Sequence, residues 1–167
     1  FDQTSESDWN TTDVRISTLL GPRLGTLTLG KIKEPFVYEM VGDAANLPHH
    51  ERLLSPFFRS RNDGVTLGNA VFDQRATWVV GWYNDWLTQG TSWSDSGNDF
   101  AGRATALPLW SDDGASYLHL AVSTRYYGAV NDQLRYKGKP ASNVADDFVD
   151  TGKVPGDHAW HTGVEAL

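Results

Sequence analysis

The chain has 167 residues, no cysteine and a formal net charge of −7 at pH 7. This length suffices for a single domain with its own core, so residues 1–167 are treated as one unit. The lack of cysteine excludes disulfides and thiolate metal sites, and the acidic balance argues against nucleic acid as a partner. No apolar run approaches the ~20 residues of a membrane-spanning helix.

Period-two alternation dominates the chain and predicts an all-β fold. In residues 117–127, Leu118, Leu120 and Val122 fall on one face, while His119 and Ser123 fall on the other, which is typical of a strand with one polar face. We expect eight strands, near residues 13–20, 26–33, 64–71, 76–84, 99–109, 116–127, 133–139 and 158–167.

The connections between the predicted strands alternate in length. Short turns near 21–25, 72–75 and 111–115 alternate with long loops at 34–63 and 85–98, and 141–157 is predicted to be an irregular connection on the short-turn, periplasmic side. Short turns at one end and long loops at the other are typical of an antiparallel transmembrane β-barrel, and any meander with uneven loops is the alternative. Aromatic residues near both strand ends fit interfacial girdles or a sandwich core equally well.

Residues 34–63 form the most distinctive segment, since connections of this length are usually functional or disordered. Apolar side chains such as Phe36, Leu54 and Phe57 favour a packed loop. Residues 31–63 contain five basic and five acidic side chains, so the segment is about neutral. A loop that is packed and also carries cations is a candidate anion site, whereas the balancing acids disfavour a tight phosphate trap.

Several segments together carry a resemblance to a known family. Gly30-Lys31-Ile32-Lys33-Glu34-Pro35-Phe36 precedes a Glu51-Arg52 pair, an aromatic at 57 or 58, and Arg61-Asn62-Asp63-Gly64-Val65. The further segments 79–84, 135–140 and 148–153 follow in order. Across residues 14–167 the chain resembles the phosphate-selective porins of the O/P type.

The resemblance implies a bacterial outer-membrane porin with a barrel of about sixteen strands, embedded in outer-membrane lipid as a homotrimer and passing small anions. The predicted eight strands would be half of such a barrel, so the chain is expected to be the middle of a longer protein. The third loop of these porins folds inward and lines the constriction, and residues 34–63 occupy the matching position.

The expected anion contacts combine that resemblance with the chemistry of arginine and lysine, which bind oxyanions through a bidentate fork or a mobile point charge. They are Lys31, Lys33, Arg52, Arg59, Arg61, Arg103 and Arg125. The alternatives are that Glu51–Arg52 and Arg61–Asp63 are structural ion pairs. Arg103 and Arg125 would then belong to a solvated wall.

Enzymatic chemistry is not expected, because no nucleophile elbow, catalytic triad or phosphate-binding glycine loop is present. His49-His50-Glu51 lacks further ligands at metal-binding spacing, so neither metal nor cofactor is predicted. Two other functions compete with a porin. One is a soluble β-sandwich that binds carbohydrate through Trp82, Trp86 and Trp93, and the other is a porin-like structural component of an outer-membrane assembly.

Overall fold

The computed structural model describes residues 2–3, 9–10, 13–42, 54–59, 61–84, 86–89, 92, 94, 96–138 and 146–167. Its strands are β1 (Asp2–Gln3), β2 (Trp9–Asn10), β3 (Val14–Gly21), β4 (Gly25–Ile32), β5 (Asn62–Val71), β6 (Ala76–Asn84), β7 (Asn98–Trp110), β8 (Tyr117–Gly128), β9 (Gln133–Leu134), β10 (Lys137–Gly138), β11 (Val149–Asp150), β12 (Val154–Pro155) and β13 (His158–Ala166). The helical segments are α1 (Tyr38–Val41), α2 (Trp86–Gln89) and a 3₁₀ turn at Ser55–Phe57. No helix in these ranges is long and apolar enough to cross a membrane.

The predicted all-β fold is confirmed, and its main element is a seven-stranded antiparallel sheet. The order is β13-β8-β7-β6-β5-β4-β3, so every strand pairs with its neighbours along the main sheet. The sheet is open, not closed into a barrel, and β3 and β13 are its two edges. Seven of the eight predicted strands therefore lie in this sheet.

The predicted strand at 133–139 is not part of the sheet. Asn131 and Asp132 both adopt positive φ, at 56° and 51°, beside a bridge between Val130 and Gln133. Two consecutive residues of this kind make the tight turn of a hairpin, so the chain reverses before it can cross the sheet. β9 then pairs with β12 and β10 with β11. The described residues of this excursion, 129–138 and 146–157, are here called the hairpin arm.

Because the predicted strand at 133–139 does not cross the sheet, the connection that follows it lies at the other end of the sheet from the one predicted. β13 pairs directly with β8, beginning at His158 opposite Gly128, so the hairpin arm leaves and rejoins the sheet at the same end. That end also carries the connections 33–61 and 85–97. Residues 146–157 accordingly belong to the long-loop end, not to the short-turn end that the sequence predicted.

The two faces of the sheet differ sharply in polarity. One transverse row, read across the strand register, is apolar and aromatic: Ile16, Leu29, Val65, Trp82, Phe100, Tyr126 and Trp160. We call this side the outer face. The neighbouring row on the opposite, inner face is Ser17, Thr28, Thr66, Gly81, Ala101, Arg125 and His161.

Residues 33–42 cross the inner face and are here called the strap. Phe36, Val37 and Met40 of the strap are buried together, and Phe58 packs against them. Val37 lies near Ser123 of β8, and Tyr38 near Glu165 of β13. The strap therefore reaches from the end of β4 to β13 at the far edge of the sheet. On the way it covers polar side chains of the central strands.

Candidate functional site

The largest buried polar cluster lies where the strap begins. The Arg125 guanidinium donates to the Glu34 carboxylate at 2.5 Å through Nε and to Asp99 at 2.9 Å through Nη2. Asn62 Nδ2 donates to Glu34 Oε1 at 3.0 Å and lies 3.3 Å from Asp99 Oδ2. All four side chains are nearly inaccessible to solvent, and Glu34 is 0% exposed. We call this set the Arg125 cluster.

Strand register explains why these residues meet. Arg125 lies directly opposite Ala101, so Asp99 is its diagonal neighbour on the same face of the adjacent strand. The small side chain of Ala101 leaves the arginine free to extend across β7. Glu34 follows β4, and Asn62 begins β5 opposite Ile32. The cluster thereby connects both ends of the long loop to the central strands.

A second ion pair holds the middle of the strap. Arg103 makes a bidentate contact with Glu165, with Nη–Oε distances of 2.6 and 2.7 Å. The same carboxylate accepts the Tyr38 backbone N–H at 2.7 Å. In register, Ser123 lies between Arg103 and Gly163, and Glu165 is the next inward-facing residue on β13. Arg103 therefore orients a carboxylate that binds the strap backbone.

The strap contains one strained residue at this contact. Val37 has φ of 49° and ψ of 151°, a conformation that a β-branched residue rarely adopts, at a cost of about 1–3 kcal/mol. Its N–H donates to Ser123 Oγ at 3.3 Å. A Cβ on Gly163 would lie 2.9 Å from Val37 Cγ1, so the glycine provides the space that the strap occupies.

Two of the long connections meet over the inner face. The Tyr136 hydroxyl of the hairpin arm lies 3.2 Å from His161 Nε2 of β13. Phe57, from the end of the long loop, stands 5.5 Å from the Tyr136 ring and 5.9 Å from the His161 ring, measured between centroids. This ring cluster joins the hairpin arm, the long loop and β13.

A cationic groove lies at the opposite side of the sheet, beside β3. It has a volume of about 520 Å³, and Arg15, Lys33 and Arg61 are among its lining residues. The Arg61 guanidinium pairs with Asp13 at 3.0 Å, and Lys33 Nζ donates to the Gly42 carbonyl at 3.3 Å. Among the described residues, three cations and one carboxylate, Asp13, line the groove, and a lining that carries cations suits small anions.

The predicted anion contacts therefore fall into different environments. Arg103 and Arg125 are buried in ion pairs, and Arg59 stacks over the Tyr127 ring at 5.4 Å, close to Arg125 at 5.0 Å from the same ring. Of the predicted contacts that the structure describes, only Lys33 and Arg61 line the groove. Lys31 follows outward-facing Leu29 by two residues, so it lies on the outer face, away from the inner face where an anion contact was expected, and it is opposite Asp63. Arg52 lies outside the described residues.

The sequence reasoning missed several residues that build this site. Glu165, Asp99 and Arg15 were not singled out, because each looks like an ordinary charged residue on a strand. Alternation alone could have placed Asp99, Arg103, Arg125 and Glu165 on polar faces. Their pairing depends on strand register, which the sequence did not reveal.

No three of the His, Asp and Glu side chains in the described ranges come together as a metal site, and His49 and His50 lie outside those ranges. The fold and site thus define an all-β chain whose open sheet carries buried charges under a strap. Comparison with protein-family models, curated proteins and solved structures found no match to this chain.

Proposed function

We propose that this chain is a membrane-embedded portion of a bacterial outer-membrane porin, similar to the phosphate-selective type, through which small hydrophilic solutes diffuse passively with a preference for anions. In this proposal the outer face meets lipid, the inner face lines the pore and no chemical reaction is catalysed. Assembly as a homotrimer belongs to the same proposal.

The observation that carries the proposal is the reversed polarity of the sheet. More polar or charged residues than hydrophobic residues are buried among those described, while large apolar side chains remain exposed, including Val164 at 82% and Ile16 at 78%. A soluble antiparallel sheet buries its apolar face in the core. A membrane barrel has the opposite arrangement, with apolar residues outside and polar residues inside.

The dimensions of the sheet support the same proposal. Phe100 belongs to the aromatic row near the long-loop end, and Trp110 packs against Tyr117 at the short-turn end, with ring centroids 6.3 Å apart. Phe100 and Trp110 are ten residues apart on β7, which at ~3.4 Å per residue and a tilt of ~40° spans about 26 Å. Apolar bands of such barrels are about 25 Å tall.

The strap supports a pore with a constriction. It covers the inner face and is held there by Glu34 and by the Arg103–Glu165 pair. Because Arg103 and Arg125 are balanced by carboxylates, they would contribute little positive potential to the lumen. The preference for anions is therefore attributed chiefly to the groove at Arg15, Lys33 and Arg61.

Planar-bilayer recording of the purified full-length protein tests the proposal. We expect stepwise conductance and, in a KCl gradient, a reversal potential that indicates anion preference. Lys33→Glu should shift the reversal potential toward cations, because it reverses one charge of the groove. Lys153→Glu is the matched control, since Lys153 is exposed on the hairpin arm and should leave the potential nearly unchanged.

The rival functions give different results in the same experiments. A carbohydrate-binding sandwich would be monodisperse without detergent and would not conduct; Trp82 on the apolar outer face and Trp86 at the start of α2 would be its sugar contacts, while Trp93 lies outside the described residues. A structural component of an outer-membrane assembly would insert into bilayers and give no conductance.

A further inference from the structure

The cationic groove beside β3 carries its charge at one end. Among the described residues, the charged side chains that line it are Asp13, Arg15, Lys33 and Arg61. All of them lie at the long-loop end of the sheet, where β3 and β5 begin and β4 ends. The described lining further from that end is uncharged and comes from three neighbouring strands, at Thr28, Thr66 and Val79. The groove therefore has a charged end and an uncharged interior.

Strand register gives the distance over which this change occurs. Arg15 is in register with Gly64, two strands away, through Gly30. Val79 is in register with Gly68. These two rows are four residues apart along β5, which corresponds to about 14 Å at ~3.4 Å per residue. A molecule that extends from the cations toward Val79 therefore needs a part several carbon atoms long.

Apolar side chains border the path between the two ends. Ile32 lines the groove at the end of β4, Val41 lines it from the strap, and Val79 lines it from the sheet. Lys33 Nζ donates to the Gly42 carbonyl at 3.3 Å, which holds the residue next to Val41 close to the start of the strap. The groove thus offers hydrocarbon surface from both the strap and the sheet.

The charged end already binds one carboxylate, that of Asp13. Arg61 Nε and Nη2 both donate to Asp13 Oδ2, each at 3.0 Å. The Arg61 and Asp13 side chains are 28% and 40% exposed, and exposed pairs of this kind contribute little to stability. A carboxylate from solution can therefore compete with Asp13 for Arg61.

We propose that the cationic groove binds small aliphatic carboxylates, with the carboxylate beside Arg61 and Lys33 and the hydrocarbon tail directed toward Val79. The inference rests on the proposed function and deepens it, since it names a class of solute for the same groove. Contact of the tail with Ile32, Val41 and Val79 is favourable in proportion to the apolar area removed from water. Inorganic phosphate gains nothing from those side chains. Affinity should therefore depend on the length of the tail as well as on charge.

The affinities of the full-length protein for acetate and hexanoate, measured in detergent micelles by NMR of the valine methyl groups, test this proposal. The two anions share a head group, so the difference reports the tail. We expect hexanoate to bind about tenfold more tightly than acetate, and more tightly than inorganic phosphate. It should shift the Val79 signals and leave those of Val80, which is 53% exposed on the outer face, in place. Hexylammonium, with the same tail and the opposite charge, measures uptake by the micelle and should bind weakly.

Two isosteric variants make the test specific for the tail. Val79→Thr places a hydroxyl in the groove, so hexanoate should lose most of its advantage over acetate. Val80→Thr, one residue later on the outer face, is the matched control and should keep the full ratio of affinities. Equal affinities for acetate and hexanoate, tighter binding of phosphate or hexylammonium than of hexanoate, or the same ratio in both variants would each overturn the proposal.

Binding is measured without conduction, so the carboxylate site and the pore can fail separately. Hexanoate binding with the expected ratio, in a protein that gives no stepwise conductance, would support the carboxylate site and reject the pore. Anion-selective conductance together with equal affinities for acetate and hexanoate would support the pore and overturn the carboxylate site.

Discussion

Arginine–carboxylate pairs occur in two very different regions of this molecule. In the Arg125 cluster and at Arg103–Glu165 the pairs are buried beneath the strap, with Arg103 only 5% and Glu165 13% exposed at the side chain. On the hairpin arm, Arg135 binds Asp150 with similar bidentate geometry, at 2.8 and 2.5 Å, but in contact with solvent.

The contribution of these pairs to the stability of the fold depends on their burial and not on their geometry. An exposed pair adds little, because solvent screens it and the side chains lose entropy. A buried pair is costly to break, since removal of one partner leaves an uncompensated charge. The buried pairs therefore hold the strap on the inner face, whereas the exposed pair only orders the hairpin arm.

Replacement of Arg125 should have the largest effect. Arg125→Met leaves Glu34 and Asp99 buried without their cation, so we expect the free energy of unfolding to fall by about 3–5 kcal/mol. Urea unfolding in detergent micelles, followed by tryptophan fluorescence, measures this change. Arg135→Met is the matched control and should change the stability little. Equal losses of unfolding free energy in Arg125→Met and Arg135→Met would contradict the conclusion that burial sets the contribution of the pair.

Neutralisation of Glu165 should have the next largest effect. Glu165→Gln keeps an acceptor for the Tyr38 N–H but removes the charge that pairs with Arg103, so the loss is expected to be about 2–3 kcal/mol. Exchange of the Tyr38 amide should accelerate as the strap loosens. Asp150→Asn serves as control, and an unchanged Tyr38 amide in Glu165→Gln would show that the pair does not hold the strap.

The close approach of the strap to Gly163 can be tested by adding a methyl group at that position. A Cβ there would lie 2.8 Å from Ser123 Oγ and 2.9 Å from Val37 Cγ1, so Gly163→Ala should cost about 1–3 kcal/mol. Combination with Val37→Ala should recover part of that loss, because the two sites are in contact. Gly102→Ala, whose Cβ would meet Val80 only at 3.6 Å, should cost less. If the changes in the free energy of unfolding from Gly163→Ala and Val37→Ala simply add in the double variant, the two residues are not in contact.

The main measurable effect of the exposed Arg135–Asp150 pair should be a lowered pKa of Asp150. The hydrogen bond from Arg135, reinforced by the Gly152 N–H, holds the pKa of Asp150 well below its ordinary value of 3.8. Because the folded pKa is depressed, the stabilisation is present above about pH 4 and is lost as pH falls through the lowered pKa.

NMR titration of the Asp150 carboxyl measures that shift. Arg135→Met should return the pKa of Asp150 toward 3.8. The pKa of Asp113, which is lowered by the hydrogen bonds from the Ser111 hydroxyl and the Ala115 N–H, should not respond. An unchanged Asp150 titration in Arg135→Met would assign the shift to the Gly152 contact.

Much of the sheet could be predicted, because strand alternation is a local property. The face assignment of residues 117–127 is confirmed, with Leu120 and Val122 exposed on the outer face and Ser123 buried on the inner face. The strand expected at 133–139 appears only as the short strands β9 and β10, outside the main sheet. The pattern of Leu134 and Tyr136 resembles a continuous strand, but the turn at Asn131 and Asp132 determines the chain direction.

The candidate site could be predicted only in part. Arg103 and Arg125 were expected to contact anions, since a cation on a polar strand face looks the same whether or not a carboxylate approaches it. Their partners Glu34 and Glu165 are 91 and 62 residues away in the sequence. No local pattern connects residues so distant.

The sequence by itself determined that the chain is all-β, where its short turns lie and which residues alternate between the two faces, because these follow from backbone periodicity and turn chemistry. The tertiary structure alone decided that the strap crosses the inner face, that Arg103 and Arg125 are neutralised there, and that Arg15 joins Lys33 and Arg61 in one groove. Register and loop path set these pairings, and both arise from contacts between residues far apart in the chain.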